Sequence, residues 1–195
     1  MTVTPPQFIL IAGPNGAGKS TTATHLLPKG VHYINADEIA LTLPEDANGN
    51  DIAAGRLFFA EWTRLERARR DFAVETTLAN KSLVGRLKRL KIAGYQIRMI
   101  FLRLPSVDLA IERVAARVRA GGHNIPRETI RRRYTAGIKN LVHIYVPSCD
   151  LWTIYENTQP SLPKLVAEGG INLKSSILDS SVWEQINATA YGQRT

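Results

Sequence analysis

Residues 8–20 read FILIAGPNGAGKS. Phe8 to Ala12 is a short apolar run ending at a glycine, the pattern of a buried strand. Gly13, Pro14, Asn15, Gly16, Ala17, Gly18, Lys19 and Ser20 then fit G-x-x-x-x-G-K-[ST]. A helix is predicted from Lys19 to about Leu27, where Pro28 and Gly30 stop it. Strand, glycine-rich turn and helix form the context that a phosphate loop requires. Glycines let successive N–H groups turn inward around phosphate oxygens, and the following helix points its positive end at the anion. Lys19 reaches the β- and γ-phosphates, and the Ser20 hydroxyl ligates Mg²⁺. The predicted nucleotide-binding stretch is therefore Gly13 to Thr21, with ATP and Mg²⁺ as its ligands.

Outward from the loop the chain alternates strands and helices. Strands are predicted at Val31–Asn35, Phe72–Thr76, Tyr95–Leu104 and Leu151–Tyr155, with one more at Lys164–Glu168. Asp51–Arg70 carries Leu57, Phe58, Trp62 and Leu65 at helical spacing, and Lys81–Ile92 places Leu83, Leu87 and Leu90 on one face. Further helices are expected from Ser106 (as N-cap) through Arg119, from Arg127 to about Tyr145, and from Ser180 to Ala190. Such alternation implies a doubly wound, mainly parallel sheet with helices on both faces, a P-loop NTPase fold of the nucleoside- or shikimate-kinase kind. Residues 1–195 read as a single P-loop kinase domain, with a core over about 7–157 and an arginine-rich lid over about 113–133.

Composition bounds the rest. The chain has 195 residues, 44% hydrophobic and 22% charged, which fits one globular domain and excludes wholesale disorder. It has no apolar run long enough to span a membrane, and MTVTPPQFIL lacks a secretory pattern. The single cysteine, Cys149, allows no intramolecular disulfide and reads as a buried thiol. These absences point to the cytosol and away from the membrane. The net charge of +8 favours anionic partners. Arg103, Arg113, Arg117, Arg119, Arg127, Arg131, Arg132 and Arg133 crowd one stretch.

The phosphate loop alone does not name a reaction. Transporter-type ATPases share GPNGAGKST, but this chain has neither an LSGGQ-like signature nor an apolar strand ending in Asp-Glu. A small chain, a phosphate loop and a later arginine-rich loop suit a small-molecule kinase better. Asp37 follows the second strand, where a carboxylate can take a proton from an acceptor hydroxyl. Glu75 and Thr76 end the third strand and are expected to face the acceptor. Arg113 and Arg117 lie one helical turn apart, before Gly121-Gly122-His123. Arginines there can clamp a transferring phosphoryl group, the glycine pair serving as the hinge of a closing lid. His123 and Arg131 are further candidates for substrate contact. Asn157, past the last main strand, is placed either near the adenine or in a turn.

Together, GPNGAGKST, INADEIA, FAVETTL, the ERVAARV helix with GGHNIP and IRRRY, then KNL and LWTIYEN, resemble the zeta toxin family of phosphate-loop kinases. The resemblance covers about Phe8 to Asn157 and looks like the compact chromosomal branch. It implies phosphorylation of the 3′-hydroxyl of UDP-N-acetylglucosamine with ATP. Asp37 then matches the catalytic base, Glu75 a substrate-binding acid, and Arg113 or Arg117 the first phosphate-clamping arginine. The family's second arginine falls where this chain has Gly121-Gly122-His123, leaving His123, Arg119 or Arg131 to substitute. An antitoxin protein is the implied macromolecular partner. The alternative is a nucleic-acid-binding P-loop ATPase or polynucleotide kinase, which the charge favours. Only Tyr134 and Tyr145 accompany the arginines as stacking groups, so that reading ranks second. A nucleotide-binding module acting only through a partner is the third.

Overall fold

β1 (Gln7–Ala12) holds the centre of the molecule, and every residue from Phe8 to Ala12 is fully buried. The computed structural model describes residues 4–43, 50–159 and 163–193, so the first three residues of the N-terminal segment read above lie outside it. The glycine loop after β1 opens α1 (Lys19–Leu26). Then follow β2 (His32–Ile34), α2 (Ala36–Leu41), α3 (Asn50–Arg67), β3 (Phe72–Thr76), α4 (Val84–Ile92) and β4 (Gln96–Arg103). α5 (Val107–Arg119) and α6 (Arg127–Asn140) come next, and α6 continues as a π turn over Leu141–Tyr145. β5 (Leu151–Glu156), β6 (Lys164–Gly170), β7 (Leu173–Ile177) and α7 (Ser180–Tyr191) complete the order.

The seven strands form one sheet in the order β2-β3-β1-β4-β5-β6-β7. The five from β2 to β5 are parallel, whereas β6 and β7 add an antiparallel edge. From β1 the chain crosses to β2 on one side, and from β4 to β5 on the other. The carboxyl ends of β1 and β4 therefore flank the switch point, where ligands of such sheets bind. β7 has no counterpart in the sequence reading. All five of its residues are exposed, so no alternation of buried and exposed positions marks it.

Packing explains most of the element boundaries. Trp62 from α3 meets Phe8 at 4.7 Å and Phe72 at 5.3 Å between ring centroids, tying the helix to β1 and β3. Phe58, Trp62 and Leu65 are buried, but Leu57 lies on the solvent side of α3. Leu83, Leu87 and Leu90 are buried as their spacing implied. α4 starts at Val84 and not Lys81, because Asn80 Oδ1 accepts from the Ser82 N–H at 3.1 Å and holds an Asx turn there. Ser106 Oγ accepts from Leu109 N at 3.2 Å, the cap expected for α5. A separate cluster joins Ala17 of the glycine loop to Leu102 and to Ala110, Val114 and Ile130 of α5 and α6. Among the described residues, no helix is long and apolar enough to cross a membrane.

α6 bridges the carboxyl ends of two strands. The Tyr134 hydroxyl donates to Leu104 O at 2.8 Å, just past β4. A Cβ at Gly137 would sit 2.5 Å from Thr77 O, just past β3. Asn140 Nδ2 donates to Leu78 O at 2.7 Å, and the Tyr145 hydroxyl to Asn80 O at 3.1 Å. Residues five apart lie about 140° apart on an α-helix, and the wider π turn brings Asn140 and Tyr145 closer to one side. This bracket holds Leu78 at φ +56°, a left-handed conformation that leucine rarely adopts. Alanine at Gly137 should therefore cost about 1–3 kcal/mol in chemical denaturation by pushing α6 off the loop. Alanine at Gly55, in open space inside α3, should instead stabilise by roughly 0.5–1 kcal/mol. Equal effects at the two glycines would refute the bracket.

Candidate active site

The first loop glycine is wedged between two strands. Gly13 has φ +149°, donates its N–H to Thr76 O at 3.2 Å, and leaves no room for a Cβ, which would lie 2.3 Å from Leu102 O. Gly18 precedes α1 in a left-handed conformation and offers no side-chain cap, so the first amides of α1 stay available to an anion. Lys19 turns back under the loop. Its Nζ donates to Pro14 O at 3.0 Å and lies 3.5 Å from Glu75 Oε1. Burial pulls the ammonium below the ordinary lysine value, Glu75 and then Asp37 oppose that shift, and Arg117 adds to it. A phosphate would supply the negative charge this buried cation favours.

Glu75 gathers the other groups. Its Oε2 accepts from Ser20 Oγ at 2.7 Å, from Asn35 Nδ2 at 3.3 Å and from the Tyr33 hydroxyl. Burial and the Glu75 charge raise the Tyr33 pKa well above the ordinary tyrosine value, so this hydroxyl remains a donor. The register explains the meeting. β3 pairs with β1 so that Glu75 lies beside Ile11, one residue pair below the start of the loop. β2 pairs with β3 on the far side and brings Tyr33 and Asn35. Asn35 caps α2 by accepting from Asp37 N at 3.0 Å, which leaves the Asp37 carboxylate exposed at the same rim. It is close enough to Lys19 to favour the ammonium form.

Two side chains brace the loop from the β5 side. Asn157 is buried, and its Nδ2 donates to Ala17 O at 2.8 Å. Arg113 reaches Gly16 O at 3.5 Å and Thr158 O at 2.8 Å. Arg117 lies one turn further on and donates to His123 O at 2.9 Å. Gly121 and Gly122 close α5 as a left-handed cap. Gly122 N bonds Arg117 O at 2.9 Å and Gly121 N bonds Val118 O at 3.0 Å. Here the glycine pair ends a helix. The His123 imidazole is exposed, and it is the His123 carbonyl that orients Arg117. Arg131 sits 3.6 Å from Asp108 on the surface of α5, and Thr76 serves the fold, its Oγ1 accepting from Leu78 N at 3.1 Å.

The structure thus joins Lys19, Ser20 and Glu75 directly, with Asp37 at the same rim, while Arg113 and Arg117 border the loop. It leaves the His123 imidazole exposed, sets Arg131 near Asp108 and gives Thr76 Oγ1 to Leu78 N. The sequence reading missed Tyr33, Asn35 and Asn140, and it gave Asn157 the adenine or a turn instead of the loop. A polar residue directly after each strand was the available signal for Asn35 and Asn157. Nothing local marks Tyr33, whose partner is 42 residues away.

The donor set suits a divalent cation shared with a nucleotide. Ser20 and Glu75 offer one hydroxyl and one carboxylate at the loop. No cluster of three or more His, Cys, Asp or Glu able to hold a metal occurs among the described residues. Mg²⁺ commonly takes one or two protein oxygens and completes its shell with phosphates and water. Asn15 Oδ1, buried in the loop without a partner, is one more polar atom left for a ligand or its water.

Comparison with known proteins gives the fold and the family. An uncharacterised protein of Haemophilus influenzae is 30% identical over 129 residues, covering 66% of this chain and 92% of that protein. The AvrRxo1-ORF1:AvrRxo1-ORF2 crystal structure with sulphate ions is similar in fold, with TM-score 0.75, 15% identity, and coverage of 94% of this chain. This chain spans only 64% of that one. The PezAT chromosomal toxin–antitoxin structure from Streptococcus pneumoniae has TM-score 0.63 and 15% identity, covering 100% of this chain and 82% of its own. These likenesses establish the phosphate-loop α/β fold. The zeta toxin family model matches residues 2–159, spanning the loop, both strand-end acids and the arginine helices, and the chain belongs to the zeta toxin family.

Proposed function

We propose that this chain is an ATP-dependent phosphotransferase that acts on a hydroxyl of a sugar nucleotide of the UDP-N-acetylglucosamine kind. The observation that carries the reading is the union of Lys19, Ser20 and Glu75 at one loop, with an exposed Asp37 at the adjoining strand end. Family membership supports it, as does a similar fold solved in an AvrRxo1-ORF1:-ORF2 complex with ATP, at TM-score 0.73 and 16% identity. A cytosolic location and an antitoxin partner belong to the same proposal. Binding at the loop would also suit an ATPase, but the exposed Asp37 carboxylate favours transfer to an alcohol.

The roles follow from position. Loop amides and the start of α1 bind the phosphates, and Lys19 lies among them as their cation. Asn157 and Arg113 keep the loop in its binding shape. Ser20 and Glu75 would hold Mg²⁺, which would supply neutralisation of the phosphate charge. Asp37 takes the proton from the acceptor hydroxyl as that oxygen forms its bond to the γ-phosphorus. The bond from that phosphorus to the bridging oxygen breaks, and ADP leaves with the electron pair. Arg117, oriented by the His123 carbonyl, stands one turn beyond Arg113 to meet charge on the transferring group.

Three measurements test this reading. With ATP, Mg²⁺ and a panel of sugar nucleotides, mass spectrometry should show the gain of one phosphoryl group on one acceptor. Asp37→Asn should bind ATP normally yet lose transfer by about 10²-fold or more. Loss of nucleotide affinity in step with rate would move Asp37 to the metal site, and no acceptor gain with steady ATP hydrolysis would leave an ATPase. Asn157→Ala leaves Ala17 O buried without its donor, so ATP affinity should fall about tenfold, read by a fluorescent ATP analogue. Unchanged affinity would show that the brace does not shape the loop.

A further inference from the structure

The groups around the Glu75 carboxylate come from two different units. Lys19 and Ser20 stand at the start of α1, where the phosphates of a nucleotide and their cation would recruit them. Tyr33 and Asn35 come from β2 and its end, on the far side of β3 from the loop strand. Asn35 divides its amide. Its Nδ2 lies 3.3 Å from Glu75 Oε2, 3.4 Å from Ser20 Oγ and 3.5 Å from Glu38 Oε1, while its Oδ1 caps α2. The Tyr33 hydroxyl has one proton and gives it to Glu75 Oε2 at 2.5 Å. The Tyr33 ring packs against a cluster that joins Ile9 and Ile11 of β1, Ala73 of β3 and Ala23 of α1. Apolar packing therefore sets where this hydroxyl stands.

We propose that Tyr33 is a positioning residue, whose hydroxyl keeps the Glu75 carboxylate in place when a nucleotide draws Lys19 and Ser20 away from it. This rests on the phosphotransferase reading of the loop. In this structure Glu75 has Lys19, Ser20, Asn35 and Tyr33 around it. Once phosphates take Lys19 and Ser20, the two groups from β2 remain, and one of them is shared with Glu38. Phosphate charge then stands close by, and a carboxylate short of donors is costly in such a place. The Tyr33 hydroxyl therefore matters more with nucleotide bound than without it. Burial and the Glu75 charge raise the Tyr33 pKa, so the proton stays on its oxygen through the neutral range and the group donates in both states. A neutral donor suits this task, because it orients the carboxylate without adding a cation that would compete with Lys19 for the phosphates.

Calorimetric titration of ATP in EDTA tests this without turnover, for the parent, Tyr33→Phe, Glu75→Gln and the double variant. Phenylalanine keeps the ring and its packing and removes only the hydroxyl, and circular dichroism establishes that each variant folds. Tyr33→Phe should weaken ATP binding about tenfold, because the hydrogen bond lost is to a charged group and counts most in the complex. In the Glu75→Gln background the same change should weaken binding about twofold or less, since the carboxylate that the hydroxyl holds is gone. Thermal unfolding of the nucleotide-free variants separates positioning from support of the fold. A role in the fold alone would lower the unfolding temperature of Tyr33→Phe and leave its ATP affinity at the parent's value, and that result overturns the proposal. An equal loss of affinity in both backgrounds also overturns it, because Tyr33 would then act on something other than Glu75. A parent that binds ATP beside a Tyr33→Phe variant that binds it as well sinks this inference alone. A parent that binds no ATP sinks the phosphotransferase reading, and this inference with it.

Discussion

A single carboxylate links the three structural units that make the site. Glu75, on β3, accepts from Ser20 at the start of α1 and from Tyr33 and Asn35 at the end of β2, and it pairs with Lys19 under the loop. Lys19 is buried, and a buried ammonium without a counter-charge is costly. The counter-charge is Glu75 here, and a phosphate group can take that place when nucleotide binds. The network therefore does two things at once. It makes a nucleotide-free loop tolerable, and it keeps the cation, the hydroxyl and the carboxylate within reach of one another.

Around that centre the rest of the fold acts as a frame. Asn157 and Arg113 hold the loop from the β5 side, while α6 holds the Thr77–Asn80 segment from above. The left-handed Leu78 shows that the segment does not relax into a low-energy shape of its own. Its carbonyl and that of Asn80 are instead paired by Asn140 and Tyr145. Helix caps, a π turn and one close glycine contact thus convert an arginine-rich surface helix into a fixed rim of the crevice. Cys149 takes no part. Burial pushes its thiol up to about 12, which leaves it inert at neutral pH.

Much of this was legible in the sequence. The loop motif, the strands beside it and the positions of Asp37 and Glu75 at strand ends follow from periodicity and spacing, because those signals are local. The partners of Glu75 do not, since they depend on β3 lying between β1 and β2, a pairing over dozens of residues. The arginine stretch shows the same limit. Spacing alone marks Arg131 as a candidate for substrate contact, but only packing shows that it meets Asp108 and that Gly137 lies against Thr77. Gly121-Gly122 reads as a hinge in sequence and serves as a cap in the fold, because glycine is favoured in both. β7, exposed along its whole length, carries no pattern to read.

In the nucleotide-free chain Glu75 engages Lys19 and Ser20, and under the proposed mechanism it gives them up to ATP and holds Mg²⁺. Calorimetric titration of ATP into the parent and into Glu75→Gln, with Mg²⁺ and then with EDTA, tests it directly. Removing the charge should strengthen binding of metal-free ATP, because the carboxylate no longer competes for Lys19 and Ser20. The same change should weaken binding of Mg²⁺–ATP, because the metal loses a ligand. Opposite signs under the two conditions are what this account predicts, and affinities that move together, or do not move, would contradict it.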